Sequence, residues 1–521
     1  MPTYPLPHLA HLPHTPHPNL QTVADSFEKF YRQVFGTISL TTMLAFLPNP
    51  SLAQVGDECQ LSAQEREQKR ALMQAAVAGD ATAQQTYRSL LTQQAERLSQ
   101  CRRQSWLQTQ ATWLRLYPCD TKPGMLDALF DEIVNRGYNQ VNLDVFSNGQ
   151  VLLPAADNPT AWMPLLQEPG TDRIDLLAEA IQKGHERGLK VYAWLFSLNF
   201  GQTYADRPDL QQVLARNGEG ETTVSAAIKA SFVPGRDITS VNEIFVDPYS
   251  PQAIADFSQL VQAVLQRRPD GVLFDYIRYP KGLGGASVAS KVKDLWIYGD
   301  ASLQALEQRG LNQKGQELIR RYVKQGYLSA QDLAAVDQLY PAEKEPQWQG
   351  RSPSISWAVP TAERLPAIQK ELWNLAVAHA MQGPVDFLAA AIAPVQQQGI
   401  PAGAVFFPEA NRMVGKGYDS RLQAWNRFPN SIEWHPMAYG VCGDTSCIVE
   451  QVQTVLSQAP AGTRVEPVLT GMWGQATAER PALEAQMQAL RSLSPTIQSL
   501  SHFSFGWQDP QWERERKFCR L

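Results

Sequence analysis

The chain has 521 residues, of which 44% are hydrophobic and 19% charged, values that exclude a disordered tail protein and a multi-span membrane protein. Lys and Arg number 46 against 51 Asp and Glu, a net charge of −5, so no global positive field recruits nucleic acid by counterion release. Thirteen Trp, 16 Tyr and 19 Phe supply aromatic faces that suit an apolar core and a sugar ring equally well.

The amino terminus reads as an export signal. Lys29 and Arg32 precede an uncharged stretch, 34–47, shorter than the roughly 20 residues that span a bilayer. Pro48, Pro50 and Ser51-Leu52-Ala53 follow, with small residues at the two positions a signal peptidase inspects. Cleavage after Ala53 is expected, leaving an exported, periplasmic or extracellular protein with no stable membrane span; an uncleaved anchor or a buried helix is the alternative. Upstream, His8, His11, His14 and His17 recur every third residue, but prolines at 5, 7, 13, 16 and 18 prevent a helix that would converge the imidazoles, so no metal site is expected there.

Export lets disulfides form. Cys442 and Cys447 bracket a short loop-forming stretch and are expected to pair. Cys59, Cys101, Cys119 and Cys519 allow three pairings. Two helical runs, 61–78 and 82–104, are broken at Gly79-Asp80, and an antiparallel hairpin would bring Cys59 to Cys101. No Cys-x-x-Cys or nearby His pair suggests zinc.

Downstream, short apolar runs alternate with helical periodicity. Strands are predicted at 112–118, 139–146, 189–198, 271–279, 402–407, 431–439, 464–469 and 502–507. Helices are predicted at 124–136, 175–187, 251–267, 366–398, 418–427, 447–458 and 480–492, with the tail at 509–519 supplying an eighth. Eight such units predict an α/β fold, a (β/α)8 TIM barrel, whose active site forms at the carboxyl ends of its strands. A doubly wound sheet would need a Gly-rich loop after its first strand, and Tyr117-Pro118-Cys119-Asp120 is not one. The predicted organisation is a leader and signal peptide at 1–53, a helical hairpin at 54–108, and a barrel at 109–521. A largely helical insertion at 281–364, after the fourth strand, lies over the mouth and either shapes a cleft or decorates the surface.

Alternation along strands points polar groups inward. Gln140, Asn142 and Asp144 share one face of the second strand; Glu433, His435, Met437 and Tyr439 share one face of the sixth. Glu433 and Glu466, early in their strands, are expected in an internal ion-pair network, to which Arg115 can contribute. The densest constellation runs from Asp270 to Pro280, where an apolar strand ends in Asp275, Tyr276, Arg278 and Tyr279. Fold stability gives no reason to bury Asp275 there. Glu409, at the end of the fifth strand, is a second carboxylate, and its alternative is a solvated loop residue. Glycoside cleavage needs two such groups, one to protonate the leaving oxygen and one to stabilise or attack the oxocarbenium-like centre. Arg278 beside Asp275 suggests that Asp275 is ionised and Glu409 the acid. Trp194, Tyr276, Tyr279, Tyr439, Trp473 and Trp507 fall near strand ends and together favour a carbohydrate cleft.

The stretches 185–194, 246–251, 270–280 and 434–439, above all Phe274-Asp275-Tyr276-Ile277-Arg278-Tyr279-Pro280, resemble the glycosyl-hydrolase-like family 10 barrels. The resemblance implies an exported or envelope-associated barrel acting on glycan, peptidoglycan-type strands included. A remoter similarity is to chitinase-type barrels, with Asp270, Asp275 and Met437-Ala438-Tyr439 aligned. Ile277 stands where those enzymes place their acid glutamate, which leaves Glu409 or His435 to serve.

The expectation is therefore an exported glycoside hydrolase with Asp275 and Glu409 catalytic, no cofactor, and Asp144, Trp194, Tyr276, Arg278, Tyr279, His435, Tyr439, Trp473 and Trp507 binding polysaccharide or oligosaccharide. One alternative is a non-catalytic glycan-binding barrel of the envelope. A weaker one is a metal-dependent hydrolase or deacetylase using Asp144, Asp275 and His435.

Overall fold

A computed structural model describes residues 59–231 and 243–520. The expected leader, export signal and cleavage point lie outside the described residues. Eight parallel strands are present among those described: β1 (Thr109–Leu114), β2 (Gln140–Ser147), β3 (Lys190–Phe196), β4 (Gly271–Asp275), β5 (Ala402–Phe406), β6 (Glu433–Pro436), β7 (Val468–Thr470) and β8 (Ser499–Phe503). Each pairs with its sequence neighbour except β6 with β7, and β1 pairs with β8 from Thr109↔Ser499 onward. The β6–β7 seam closes through the parallel bridges Trp434↔Val465 and Met437↔Val468. The result is a TIM barrel, in which strand ends carrying polar groups converge on one face.

Chain order dictates the outer layer. Helices α3 (Met125–Asn135), α4 (Leu176–His185), α5 (Pro251–Leu265), α6 (Thr361–Gln397), α7 (Ser446–Gln458), α8 (Leu483–Leu493) and α9 (Pro510–Lys517) follow their strands. The helix expected at 418–427 does not form. Gly417–Asp419 is instead a strand between Met413–Val414 and Val288–Ala289, and only a 3-10 turn, Trp425–Arg427, follows. Pairing with the insertion overrides the local periodicity there.

Before the barrel, α1 (Ala63–Val77) and α2 (Ala81–Gln104) form the expected hairpin. Ser62 and Glu65 cap α1 reciprocally, and the Asp80 carboxylate accepts from Thr82 and Ala83 N–H to start α2. Buried Asp131 on α3 anchors the hairpin, accepting from Tyr87 Oη at 2.8 Å and Arg187 Nε at 2.8 Å, with Lys69 Nζ 3.6 Å away. Disulfides join Cys59 to Cys101, Cys119 to Cys519 and Cys442 to Cys447, leaving no cysteine free.

The insertion carries three helices, Asp300–Glu307, Gln313–Gln325 and Ala330–Leu339. They bury a core of their own with Ile368, Leu372 and Leu375 from the first half of α6. The second half of α6, Phe387 to Val395, packs into the barrel core. Serving two cores accounts for its 37 residues. Its length and composition would suit a membrane span, but 67% of its most apolar window is buried in protein.

Candidate active site

The β4 sequence Gly271-Val272-Leu273-Phe274-Asp275 is apolar until its last residue, and its whole length is buried. Tyr276 then takes φ 56°, a left-handed conformation that costs a non-glycine residue about 1–2 kcal/mol and turns the chain sharply. The turn brings the Tyr276 N–H back onto Asp275 Oδ1 at 2.6 Å, while Trp194 Nε1 at the end of β3 donates to Oδ2 at 3.2 Å. Burial pushes the Asp275 carboxyl up to about 6. The Tyr276 N–H, the Arg278 charge and the Trp194 donor oppose that push, and the negative charge of Glu243 reinforces it.

Asp275 lines a cavity of about 180 Å³ at the carboxyl end of the barrel. Trp113, Trp194, Phe196, Phe407, Tyr439 and Phe503 form its aromatic walls. Trp113 and Trp194 meet edge to face at 4.8 Å, and Arg115 lies 5.6 Å from the Trp194 ring centre. Burial and the Asp275 charge hold the Tyr439 hydroxyl protonated. Buried Arg278 sits 4.4 Å from the Tyr276 ring centre and lines the same space. Tyr276 Oη donates to Glu243 Oε1 at 3.2 Å, with Arg278 Nη2 4.0 Å from that oxygen.

Asp275, Trp194, Tyr276, Arg278 and Tyr439 are thus brought together. The other expected site residues go elsewhere. Glu409 does not line the cavity: Oε1 accepts from both terminal nitrogens of Arg421 at 3.2 Å, and Oε2 from Gln451 at 3.3 Å. Asp144 is ion-paired with Arg115 at 2.8 Å and bonded to Ser147, so it reaches the cavity only through Arg115; burial raises its carboxyl against those two partners. Tyr279 is fully buried in the insertion core, because the chain has turned away from the mouth by that point. Trp473 donates to Tyr138 Oη and packs edge to face on His502, which removes it from the mouth. Trp507 is 44% exposed and borders a neighbouring cavity.

His435 lies deeper, inside the barrel, where Gly403 leaves room for its ring; a Cβ at that glycine would come within 2.8 Å of it. Its Nε2 is 3.3 Å from Glu433, and burial keeps it neutral. Arg464 bonds Glu433 and lies 3.2 Å from Glu466. Donor atoms of Glu433, His435 and Glu466 fall within 4.8 Å of one another and could hold a cation, a position that the Arg464 guanidinium already neutralises. Asp144, Asp275 and His435 are therefore not one metal constellation.

Trp113, Phe196, Phe503 and Glu243 escaped the sequence reading. Trp113 shares strand parity with Arg115, a signal that lay inside the predicted first strand. Glu243 lies in no predicted element.

Residues 102–325 match the sequence family Glycosyl hydrolase-like 10, a stretch containing β1 to β4 and Asp275. The curated glycosyl hydrolases DigH of Escherichia coli K12 and Shigella flexneri are 29% identical over 171 residues, 31% of this chain and 35% of theirs. The chain thus spans about a third of the length of these relatives. Among solved structures, a GH20 exo beta-N-acetylglucosaminidase from Vibrio harveyi aligns over 80% of this chain and 53% of its own at 10% identity and TM-score 0.37. The spore cortex-lytic enzyme SleL of Bacillus megaterium aligns over 78% and 73% at 8% identity and TM-score 0.31.

Proposed function

We propose that this barrel is an exported glycoside hydrolase of envelope or extracellular polysaccharide, with peptidoglycan glycan strands as a candidate substrate, and that Asp275 is its general acid. The observation that carries the reading is a desolvated carboxyl, raised to about 6, facing an aromatic-walled cavity at the end of β4. This reverses the role expected from Arg278: burial outweighs the cation, and Asp275 keeps its proton at mildly acid pH. Glu243, bonded by Tyr276 Oη and 4.0 Å from Arg278, is the second carboxylate in place of Glu409. Asp275 gives its proton to the glycosidic oxygen as the anomeric C–O bond breaks. Glu243 stabilises the positive centre, and water completes it, its proton returning to the carboxylates. Three disulfides fit an oxidising compartment and so support export.

Incubating the mature protein with purified glycan strands and with chitin-type oligomers tests the reading. Hydrolysis should fall as pH rises through about 6. Asp275→Asn should lower it by about 10²–10⁴; unchanged product release by this variant would remove Asp275 from the chemistry. A non-catalytic glycan-binding barrel is the second reading. Ile277 favours it, since it stands where chitinase-type barrels carry their acid and is fully buried. Absence of hydrolysis by the wild type, with glycan binding retained, would select it.

A further inference from the structure

Asp131 ties the hairpin to the barrel, and a cavity of about 310 Å³ opens beside it between α1, α3 and the start of α9. It shares no lining residue with the cavity at Asp275. From α1 come Arg66, Lys69 and Arg70, whose spacing of three and four residues puts them on one helix face. Lys69 is 1% exposed, yet its ammonium has no hydrogen-bond partner. Asp131 Oδ1 is 3.6 Å away and already accepts from Arg187 Nε at 2.8 Å, so two cations share one carboxylate. Burial lowers the Lys69 ammonium to about 8; Asp131 opposes that shift and Arg187 reinforces it. The Arg66 guanidinium bonds no described residue, and Arg70 meets only the exposed Glu67.

The acidic groups contributed by α3 and α9 do not supply the missing charge, because each is matched by a cation that does not line the cavity. Arg187 bonds Asp131, Arg136 Nε bonds Glu132 Oε1 at 2.7 Å, and Asp509 accepts the Trp512 N–H at 3.1 Å with Arg136 3.8 Å away. Lys69 and Arg66 remain as positive charge that the cavity itself leaves unmatched, and a buried ammonium in that state is costly. Asn135 adds a complementary feature. Its Nδ2 is directed to Glu132 Oε2 at 3.4 Å, while its buried Oδ1 has no partner and calls for a donor. Three cations on one face suit the three terminal oxygens of a phosphate group better than the two of a carboxylate. The volume stands at the lower end of the roughly 300–1,000 Å³ of small-molecule sites, larger than a bare ion requires, and Ala128 and Trp512 offer apolar wall. We propose that this cavity binds a small phosphate monoester carrying a free hydroxyl, with Lys69, Arg66 and Arg70 on the phosphate and Asn135 Oδ1 on the hydroxyl.

Glycerol phosphate, inorganic phosphate and glycerate, titrated by calorimetry onto the full-chain protein, test the proposal. Glycerol phosphate should bind saturably and most tightly of the three, and the unfolding temperature should rise with its concentration. Lys69→Met should weaken it about tenfold or more, and Arg66→Met, at a half-buried residue, about fivefold. Arg97→Met, on the same hairpin but outside the cavity, should leave binding unchanged. If Lys69→Met does not fold, the Arg66→Met titration decides. Lack of saturation at millimolar concentration, binding of inorganic phosphate or glycerate as tight as that of glycerol phosphate, or affinity indifferent to both variants would overturn the site. Glycan hydrolysis plays no part in these readouts, so the result stands apart from the role of Asp275.

Discussion

Two carboxylates inside this barrel, Asp275 at the mouth and Glu433 at the floor, are equally hidden, at 6% and 3% exposure, and keep opposite company. Glu433 is matched by Arg464, by Tyr192 Oη at 3.3 Å and by His435. Asp275 receives two neutral donors and faces a cavity, and its nearest cation, Arg278, directs Nη1 to the Tyr279 carbonyl. The floor spends its polarity on holding strands together, as expected for the amino-terminal face of such barrels. The mouth leaves one carboxyl short of solvation, which destabilises its charged form and keeps it protonated to higher pH. Burial alone thus does not separate the two; what differs is that Glu433 is bonded by a cation and Asp275 by neutral donors beside a cavity.

The largest test of this contrast is stability at the mouth. Asp275 titrates near 6 in the fold and near ~3.9 when unfolded, so the folded state holds the proton more tightly. Its contribution is favourable below about pH 4, is lost as pH rises through 6, and leaves a cost of about 3 kcal/mol at pH 7. Asp275→Asn should therefore be more stable than wild type by up to about 3 kcal/mol at pH 7, and equal to it near pH 4, in urea denaturation. A difference independent of pH would break the contrast.

Glu243→Gln comes next. It should lower hydrolysis about a hundredfold. Removing a like charge should also move the pH limit set by Asp275 downward, which a rate profile between pH 4 and 7 reads directly.

At the floor, Arg464→Met leaves Glu433 without its counter-ion. Because Arg464 is 62% exposed, the expected loss is about 2 kcal/mol, less than the ~3–5 kcal/mol for a fully buried pair. Denaturation should report that loss, while hydrolysis per folded molecule stays within about twofold.

Glu409→Gln should have the smallest effect. It weakens the contact with Arg421 and should cost less than about threefold in activity and ~1 kcal/mol in stability. A loss as large as that of Asp275→Asn would return Glu409 to the chemistry.

Much of this was legible in the chain. Apolar runs alternating with helical periods located all eight strands to within a few residues, because a parallel sheet covered by helices demands that pattern. The run ending in Asp275 stood out because a lone carboxylate after four buried apolar residues has no stabilising purpose. The partners did not stand out. Glu409 and Glu243 look alike as loop glutamates, and only the fold shows one bound by Arg421 and Gln451 and the other by Tyr276. Tyr279, Trp473 and His435 have the composition of a sugar site, yet each is absorbed by packing at a different depth.

Local patterning, then, determined the barrel, the hairpin and the buried carboxylate at the end of β4, since period and burial follow from neighbours in the chain. Tertiary structure alone decided which charges meet and which aromatic rings face the cavity beside Asp275. Those outcomes depend on residues more than a hundred positions apart, such as Trp194 and Phe503, and on whether a carboxyl finds a cation or a void when the ring of strands closes.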